Sequence, residues 1–484
     1  MTEYLESPET PERPDRMEEA CGVIAIYAPG QDVARAAYFG LHALQHRGQE
    51  SAGIAVGDGE TVTVIKDLGL VSSVFKASDL DSLTGDLAIG HTRYSTTGAS
   101  DAWDNAQPHL SAIGNQVIAL AHNGNLVNTT EVRDLLRPER IRFRSTTDSE
   151  VIATLVGHYT QIHSHIREGI RETMSLIRGA YAVVLATEDA IYAFRDPYGI
   201  RPLALGRIDG KGWCVASETC GLDIIGATYE RNVAPGEVIK ISAAGLESEQ
   251  AVPAEKPSLC MFEFIYFARP DSVMYDCALY EARHRMGELL AAEAPAAADL
   301  VIGVPDSGVP AAVGYALGSG IPFGEGLVKN RYVGRTFISP SQELRQQGIR
   351  LKLNPLRHVI EGKRLIVTDD SIVRGNTSRK LVQLLRDSGA AEVHMRITSP
   401  PVRWPCFYGI DTDTQGQLIA SEHDIEAIRE YIGADSLAYL SLEAMVASTG
   451  APADRFCLAC LNGDYPVGIP DAVRRGKLAL ESCG

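Results

Sequence analysis

Residues Arg364–Ser378 read RLIVTDDSIVRGNTS, and the fold turns on them. Leu365-Ile366-Val367-Thr368 is a short apolar, β-branched run of the kind that forms a strand buried in a parallel sheet. Two adjacent carboxylates, Asp369 and Asp370, close it. A turn rich in small and hydroxyl residues follows, Ser371 to Ser378, in which Gly375 supplies backbone freedom. Arg379–Arg386 then carries helical apolar spacing at Leu381, Leu384 and Leu385. Strand, acidic pair, loop and helix place backbone N–H groups and the Thr377 and Ser378 hydroxyls at a helix N-terminus, where a phosphate binds well. The two aspartates then lie where the hydroxyls of a sugar attached to that phosphate would be. The alternative is an ordinary βα turn whose aspartates and serines only cap the helix; an acidic pair before a loop this long and hydroxylated argues against it.

Composition bounds the rest. A chain of 484 residues has the length for two or three domains, and 45% hydrophobic with 22% charged residues is ordinary for a globular protein. A net charge of −17 argues against general nucleic-acid binding but leaves room for a small anion in a local basic pocket. No apolar run is long enough to span a bilayer, so no membrane association is expected. The first twenty residues are polar, acidic and proline-bearing, unlike a signal or transit peptide, so a cytoplasmic location is expected. Nine cysteines in such a chain point to free, catalytic or metal-bound thiols rather than a disulfide scaffold.

The stretch 364–378 resembles the phosphoribosyl pyrophosphate (PRPP) binding motif of type I phosphoribosyltransferases. Its wording DDSIVRGNTS resembles in particular the glutamine-dependent PRPP amidotransferases. The resemblance implies that Asp369 and Asp370 hold the ribose hydroxyls, directly or through Mg²⁺. It implies that Ser371, Arg374, Gly375, Asn376, Thr377 and Ser378 hold the 5′-phosphate. Two positions depart from the usual wording: Thr368 stands where an aliphatic residue is common, and Asn376 where threonine is. Such an enzyme needs a second active site that takes ammonia from glutamine.

Residues 1–20 have too few apolar side chains to pack and are expected to be disordered. At Cys21 the composition changes abruptly to CGVIAIYAP, a buried-strand run. A cysteine opening a strand is by itself a small buried apolar residue. This start resembles that of N-terminal-nucleophile glutamine amidotransferases, in which a leader is removed. The freed Cys21 thiolate then attacks the glutamine amide with its own α-amine as base. Thiol and α-amine titrate within about one pH unit of each other, so the pair exchanges a proton near neutral pH.

Four further segments match the same family: LQHRGQESAGIA (Leu44–Ala55), LAIGHTRYSTTG (Leu87–Gly98), LAHNGNLVN (Leu120–Asn128) and STTDSE (Ser145–Glu150). A guanidinium can grip the glutamine α-carboxylate through two parallel hydrogen bonds, a role suited to Arg93. Asp148 suits the ammonium. The Asn123 side chain and the Gly124 N–H suit the oxyanion of the tetrahedral intermediate. The resemblance assigns Arg47, with Gly48, to the surroundings of the nucleophile in the glutamine site. RDPYGIRPLALG (Arg195–Gly206) and WCVASET (Trp213–Thr219) read as later strands of the same sandwich. The strand-rich part ends near Ala234–Ser242, and Ala243–Pro257 reads as a linker. Cys214 and Cys220 read as core thiols.

Cys260, Cys406, Cys457 and Cys460 include one C-x-x-C and two distant partners, enough for a four-thiolate cage. Spacing does not choose between zinc and [4Fe–4S]. The resemblance does: one branch of these amidotransferases carries both a leader peptide and a [4Fe–4S] cluster on cysteines in these contexts, with a structural role. Cys277 and Cys483 fall outside the set.

Gly287–Gly320 reads helix, strand, loop, helix, and its loop Val304–Gly308 makes a second anion-type βα junction. By resemblance this loop faces pyrophosphate, with Ser307 near the Mg²⁺. Val328–Leu356 carries Lys329, Arg331, Arg335, Arg345, Arg350 and Lys352, a cluster of bases in an acidic chain. Either it is a solvated surface or it grips the pyrophosphate leaving group; the resemblance implies the latter, with Lys329 and Arg335 as PRPP contacts.

The reading is a two-domain α/β protein. An N-terminal-nucleophile αββα sandwich over 21–250 follows a leader, 1–20. A phosphoribosyltransferase doubly wound parallel sheet over 258–470 precedes a tail, 471–484. The expected reaction makes 5-phosphoribosylamine, glutamate and pyrophosphate from PRPP, glutamine and water, the first committed step of purine biosynthesis. The resemblance further implies a shielded ammonia passage, purine-nucleotide inhibition and a homotetramer. A different glutamine-dependent transferase and a non-enzymatic PRPP sensor are the competing readings.

Overall fold

The computed structural model describes residues 21–95, 97–114, 116–139, 141–330, 352–410, 412 and 415–469. The expectations for the leader, for Arg335 and most of the basic stretch, and for the tail lie outside these residues.

The first half is built on two antiparallel sheets. Seven strands follow the order Thr228–Asn232, Ala204–Ile208, Gly212–Ala216, Gly22–Tyr27, Leu87–Arg93, Ser51–Gly57, Val62–Leu68. Six follow the order Gly245–Gln250, Glu237–Ser242, Ile191–Arg195, Gly179–Ala186, Gln116–Leu126, His109–Ile113. Val23, Ala25 and Ile89 of the first sheet pack on Ala121, Val184 and Ala193 of the second, forming the layer between sheets. Ile24 and Ile26 point the other way, onto Val33, Ala37 and Leu41 of the helix Val33–Ala43. Leu120, Val183 and Leu185 pack outward on the helices Asp148–His163 and Ile166–Leu176. Every residue of Gly22–Tyr27 is therefore buried, which is why the strand reads as one apolar run although its neighbours are antiparallel.

The linker expected at 243–257 is shorter than its sequence suggests. Gly245–Gln250 returns as a hairpin strand on Glu237–Ser242, with Gly245 at φ +101° in the turn. Its polar side chains had hidden it, because an edge strand facing solvent needs no apolar run.

The second half carries a parallel sheet ordered Leu300–Gly303, Arg364–Asp369, Glu392–Ile397, Ser436–Tyr439. A parallel bridge from Val301 to Phe323 adds the far edge, so the chain order across the sheet is 2-1-3-4-5. That is a doubly wound arrangement whose direction reverses between Leu300–Gly303 and Arg364–Asp369. Ile366 and Val301 face the pair of helices Leu279–Glu293 and Val309–Ser319. Leu365 and Val367 face Leu381, Leu385, Ile428 and Ile432 of the opposite layer. The loops that leave the two reversal strands are the ones the sequence marked, 304–308 and 369–375.

The two helices on the first face approach closely. A Cβ added at Gly287 would lie 1.9 Å from the Ala311 carbonyl oxygen, and one at Gly314 would lie 1.9 Å from that of His284. Backbone cannot yield cheaply to either. Gly287→Ala or Gly314→Ala is therefore expected to destabilise the second half by about 1–3 kcal/mol, read as a lowered urea midpoint for that half. An unchanged midpoint would contradict the packing described.

Candidate active sites and thiol cluster

Cys21 is buried at the head of the first strand, and its thiol donates to the Tyr94 carbonyl at 3.3 Å. Burial pushes the thiol up to about 12, against the opposing pull of the Arg93 guanidinium; Glu50 and Asp148 push the same way as burial and Arg47 against it. The tertiary fold thus gathers around one thiol charges from three separate segments, with Arg47 and Glu50 on the same one.

Arg93 ends the strand Leu87–Arg93, and its guanidinium is held by the Thr97 and Ala99 carbonyls, each at 3.2 Å, with Glu50 at 3.6 Å. Asp148 opens its helix because Thr147 caps it, accepting from Glu150 N, while the Glu150 carboxylate reaches back to Ser145 N at 2.7 Å. One Asp148 oxygen accepts from Leu126 N at 2.9 Å. Asn123 lies wholly buried on the strand Gln116–Leu126, and among the described residues neither its amide nitrogen nor its amide oxygen has a hydrogen-bond partner. A buried amide left open on both atoms is destabilising unless a further group engages it. Gly124 sits at φ +145°, and a Cβ there would strike the Ala180 oxygen at 2.0 Å, so no other residue fits.

Arg47 lies against the backbone of Cys21. Its Nε donates to the Cys21 carbonyl at 3.1 Å, while its terminal nitrogens bind Glu218 at 2.5 Å and Glu263 at 2.7 and 2.9 Å. Every nitrogen of the guanidinium faces these groups, so the geometry supports holding the nucleophile's backbone in place of a glutamine contact. Glu218, Glu263 and Arg201 were not singled out from sequence. The available signal was a charge inside an apolar run, as in CMFEFIYF around Glu263.

The second site lies at the sheet's reversal point. Asp369 ends its strand and Asp370 follows, both buried. Ser307 Oγ donates to one Asp370 oxygen at 2.5 Å and Ser371 Oγ to the other at 2.6 Å, joining the two βα loops. The unusual Thr368 adds to that joint: its hydroxyl donates to the Gly308 carbonyl at 2.9 Å, which an aliphatic residue could not do. Gly375 adopts φ +85° directly before the helix Asn376–Asp387, a left-handed turn that a side chain would strain. Ser378 is buried in that turn. The other unusual residue, Asn376, accepts from the Tyr431 hydroxyl at 2.6 Å. Arg374 donates to Gln417 at 2.6 Å, and Lys329 pairs with Asp306 at 2.6 Å beside the first loop.

Four thiols converge where the halves meet. Cys260 and Cys457 pair in register on short parallel strands, Leu259–Cys260 and Phe456–Cys457, and Cys460 follows on the next turn. Trp404 N donates to the Cys460 carbonyl at 3.1 Å, and Cys406 Sγ accepts from Tyr408 N at 3.4 Å. Burial pushes all four thiols up; Cys406 pushes Cys260 and Cys457 further the same way, and Cys260, Cys406 and Cys457 all do so at Cys460. All four are free of disulfides. Among the described residues no group of three or more His, Cys, Asp or Glu closes around the position of a single metal ion. Four thiols are the number that either one zinc ion or one [4Fe–4S] cluster takes. Cys214 and Cys220 pack in the outer core of the first half. No helix among the described residues is long and apolar enough to cross a membrane.

A family model described as a glutamine amidotransferase domain matches residues 91–223. The chain is 57% identical over 474 residues to the amidophosphoribosyltransferase of Synechococcus elongatus, covering 97% of this chain and 96% of that one. It is 53% identical over 476 residues to that of Mycobacterium tuberculosis, covering 96% and 89%. A solved structure of glutamine PRPP amidotransferase from B. subtilis, complexed with ADP and GMP, superposes with a TM-score of 0.88 at 46% identity, covering 93% of this chain and 98% of that one. With half or more of its residues identical to these relatives across nearly its whole length, the chain belongs to the amidophosphoribosyltransferase family.

Proposed function

We infer that the chain forms 5-phosphoribosylamine, glutamate and pyrophosphate from PRPP, glutamine and water, the first committed step of purine biosynthesis, through two coupled half-reactions. The observation that carries the reading is identity along nearly the whole chain with amidophosphoribosyltransferases, 57% over 474 residues, together with a buried Cys21 whose thiol meets the Tyr94 carbonyl next to Arg93. In the first half-reaction the leader 1–20 is removed and the Cys21 α-amine takes the thiol proton. The thiolate attacks the side-chain carbonyl carbon of glutamine. Arg93 holds the substrate α-carboxylate and Asp148 its ammonium. The Asn123 amide, open on both atoms, donates to the oxyanion together with the Gly124 N–H. The C–N bond breaks with the proton delivered to the leaving nitrogen, ammonia departs, and water cleaves the thioester to glutamate.

In the second half-reaction the first turn of Asn376–Asp387, with Ser371, Arg374, Gly375, Asn376, Thr377 and Ser378, holds the 5′-phosphate. Asp369 and Asp370 orient the ribose hydroxyls. These two carboxylates, with Ser307, would hold Mg²⁺, which neutralises pyrophosphate charge when bound. Lys329 and Arg335 meet the leaving pyrophosphate. The ammonia lone pair attacks the anomeric carbon as the C–O bond to pyrophosphate breaks. Ammonia must stay unprotonated between sites, so the dry junction supports a shielded passage: Val127, Ala180 and Ile200 of the first half share one apolar cluster with Met261, Phe262 and Tyr408. Cys260, Cys406, Cys457 and Cys460 would hold a [4Fe–4S] cluster, whose part is to tie the C-terminal segment to the sheet-bearing half. The relative solved with ADP and GMP supports purine nucleotides as inhibitors of this chain. A homotetramer in the cytoplasm completes the proposal.

Cys21→Ala is expected to lose all glutamine-dependent synthesis and keep ammonia-dependent synthesis, whereas Asp370→Asn loses both. A PRPP sensor would be indifferent to the first change. In the full-length chain the raised thiol leaves Cys21 protonated at neutral pH, with about one molecule in 10⁴ as thiolate at pH 8. Its alkylation by iodoacetamide should therefore rise about tenfold per pH unit between pH 7 and 10. In the processed chain it should level off near the α-amine range, about 7.7–8.0; a plateau already present in the full-length chain sinks the amine's role. Anaerobically purified protein should carry about four irons per chain, and Cys460→Ser should lose them. Iron retained by that variant, or zinc in the native protein, would overturn the cluster.

A further inference from the structure

Cys21 becomes a chain end if the leader is removed, and a chain end frays unless something ties it down. The tie visible in the structure is the Arg47 Nε–H on the Cys21 carbonyl, at 3.1 Å. Arg47 itself is held from both sides of the junction. Glu218, at 2.5 Å, belongs to the sandwich; Glu263, at 2.7 and 2.9 Å, belongs to the segment that follows Cys260. Glu263 also accepts from Arg201 Nη1 at 3.3 Å, and Arg201 donates twice to the Tyr408 carbonyl, at 3.0 and 2.8 Å. The side chains of Arg47, Glu218, Glu263 and Arg201 are all fully buried. Two cations therefore meet two anions out of reach of water, and one of the anions comes from the second half of the chain.

The far side of Glu263 reaches toward the other site. Arg283 donates to the Phe264 carbonyl at 2.8 Å, the Ala268 carbonyl at 2.7 Å and, more loosely, the Glu263 carbonyl at 3.4 Å. The same guanidinium lies within electrostatic range of Asp370. Glu263 stands in a segment that reaches the backbone of the thiol nucleophile through Arg47 and is held by Arg283, a residue within electrostatic range of Asp370.

We propose that Glu263 is a positioning residue for the glutamine half-reaction: its carboxylate fixes Arg47, and through it the Cys21 backbone, so that the nucleophile is aimed only while the segment after Cys260 is docked. The inference rests on the reading of Cys21 as nucleophile. A merely structural Glu263 would weaken both half-reactions together, whereas a positioning one weakens only the first.

The test uses the processed holoenzyme as wild type, Glu263→Gln and Glu263→Asp. Three rates are measured: glutamine hydrolysis, ammonia-dependent synthesis, and alkylation of Cys21 by a glutamine-like diazoketone. Glu263→Gln should lower kcat for glutamine and the alkylation rate by about 10- to 100-fold, the scale of an ångström-level misplacement, while KM for glutamine and the ammonia-dependent rate stay within about twofold. Glu263→Asp, which keeps the charge on a shorter arm, should recover part of the loss. If Glu263→Gln does not fold, the double variant E263Q/R201M removes one charge of each sign and should show the same selective loss. Unchanged alkylation, or a parallel fall of glutamine- and ammonia-dependent rates, overturns the proposal. A wild-type enzyme that makes product from ammonia but is never alkylated at Cys21 overturns the nucleophile assignment, and this inference with it.

Discussion

Arg47 with Glu263 is the buried charge contact that crosses between the two halves of the molecule. Moving a guanidinium and a carboxylate out of water is unfavourable by several kcal/mol for each ion, and only close, fully paired geometry offsets it. Here the offset needs both halves: Glu218 alone leaves the Arg47 and Arg201 charges unbalanced. Removing one partner of such a pair costs about 3–5 kcal/mol, because the remaining charge stays buried. The junction is therefore specific as well as apolar, since sliding it would separate the charges.

Around that junction the two sites are built on different physical devices. The proposed Cys21 site draws its charges from strands and a helix of the sandwich, and among the described residues the Asn123 amide is left unengaged inside the core. Preorganised donors of that kind are worth most where water is excluded. The site proposed for PRPP uses backbone: two loops leave neighbouring parallel strands at the reversal point, and Asp370 joins them through Ser307 and Ser371. The cysteine quartet lies between, on strands only two residues long, where packing alone offers little to hold the C-terminal segment. The cluster proposed there would do what a larger core otherwise does.

The two departures from the common PRPP wording illustrate how local chemistry is absorbed. Thr368 is buried, and its hydroxyl is satisfied by a loop carbonyl, so a polar residue inside a strand becomes a link between loops. Asn376 loses the hydroxyl of threonine but gains the Tyr431 hydroxyl as a donor, which fixes the start of the phosphate helix from the side.

Local order was legible in the residues themselves. The apolar runs at Gly22–Tyr27 and Leu365–Thr368, the acidic pair and the glycine before Asn376 each announce an element through short-range periodicity and turn chemistry. The hairpin strand Gly245–Gln250 was not legible, because a solvated edge leaves no apolar signature. The grouping of Arg93, Asp148 and Asn123 with Cys21 came from resemblance, not from spacing. What only the tertiary structure decided is the pairing of buried charges. A glutamate inside CMFEFIYF signals that it must be buried and neutralised, but its partner Arg47 lies 216 residues away. No periodicity reaches that far; the partner is chosen by which surfaces the two folded halves bring together, and so is the aim of the nucleophile.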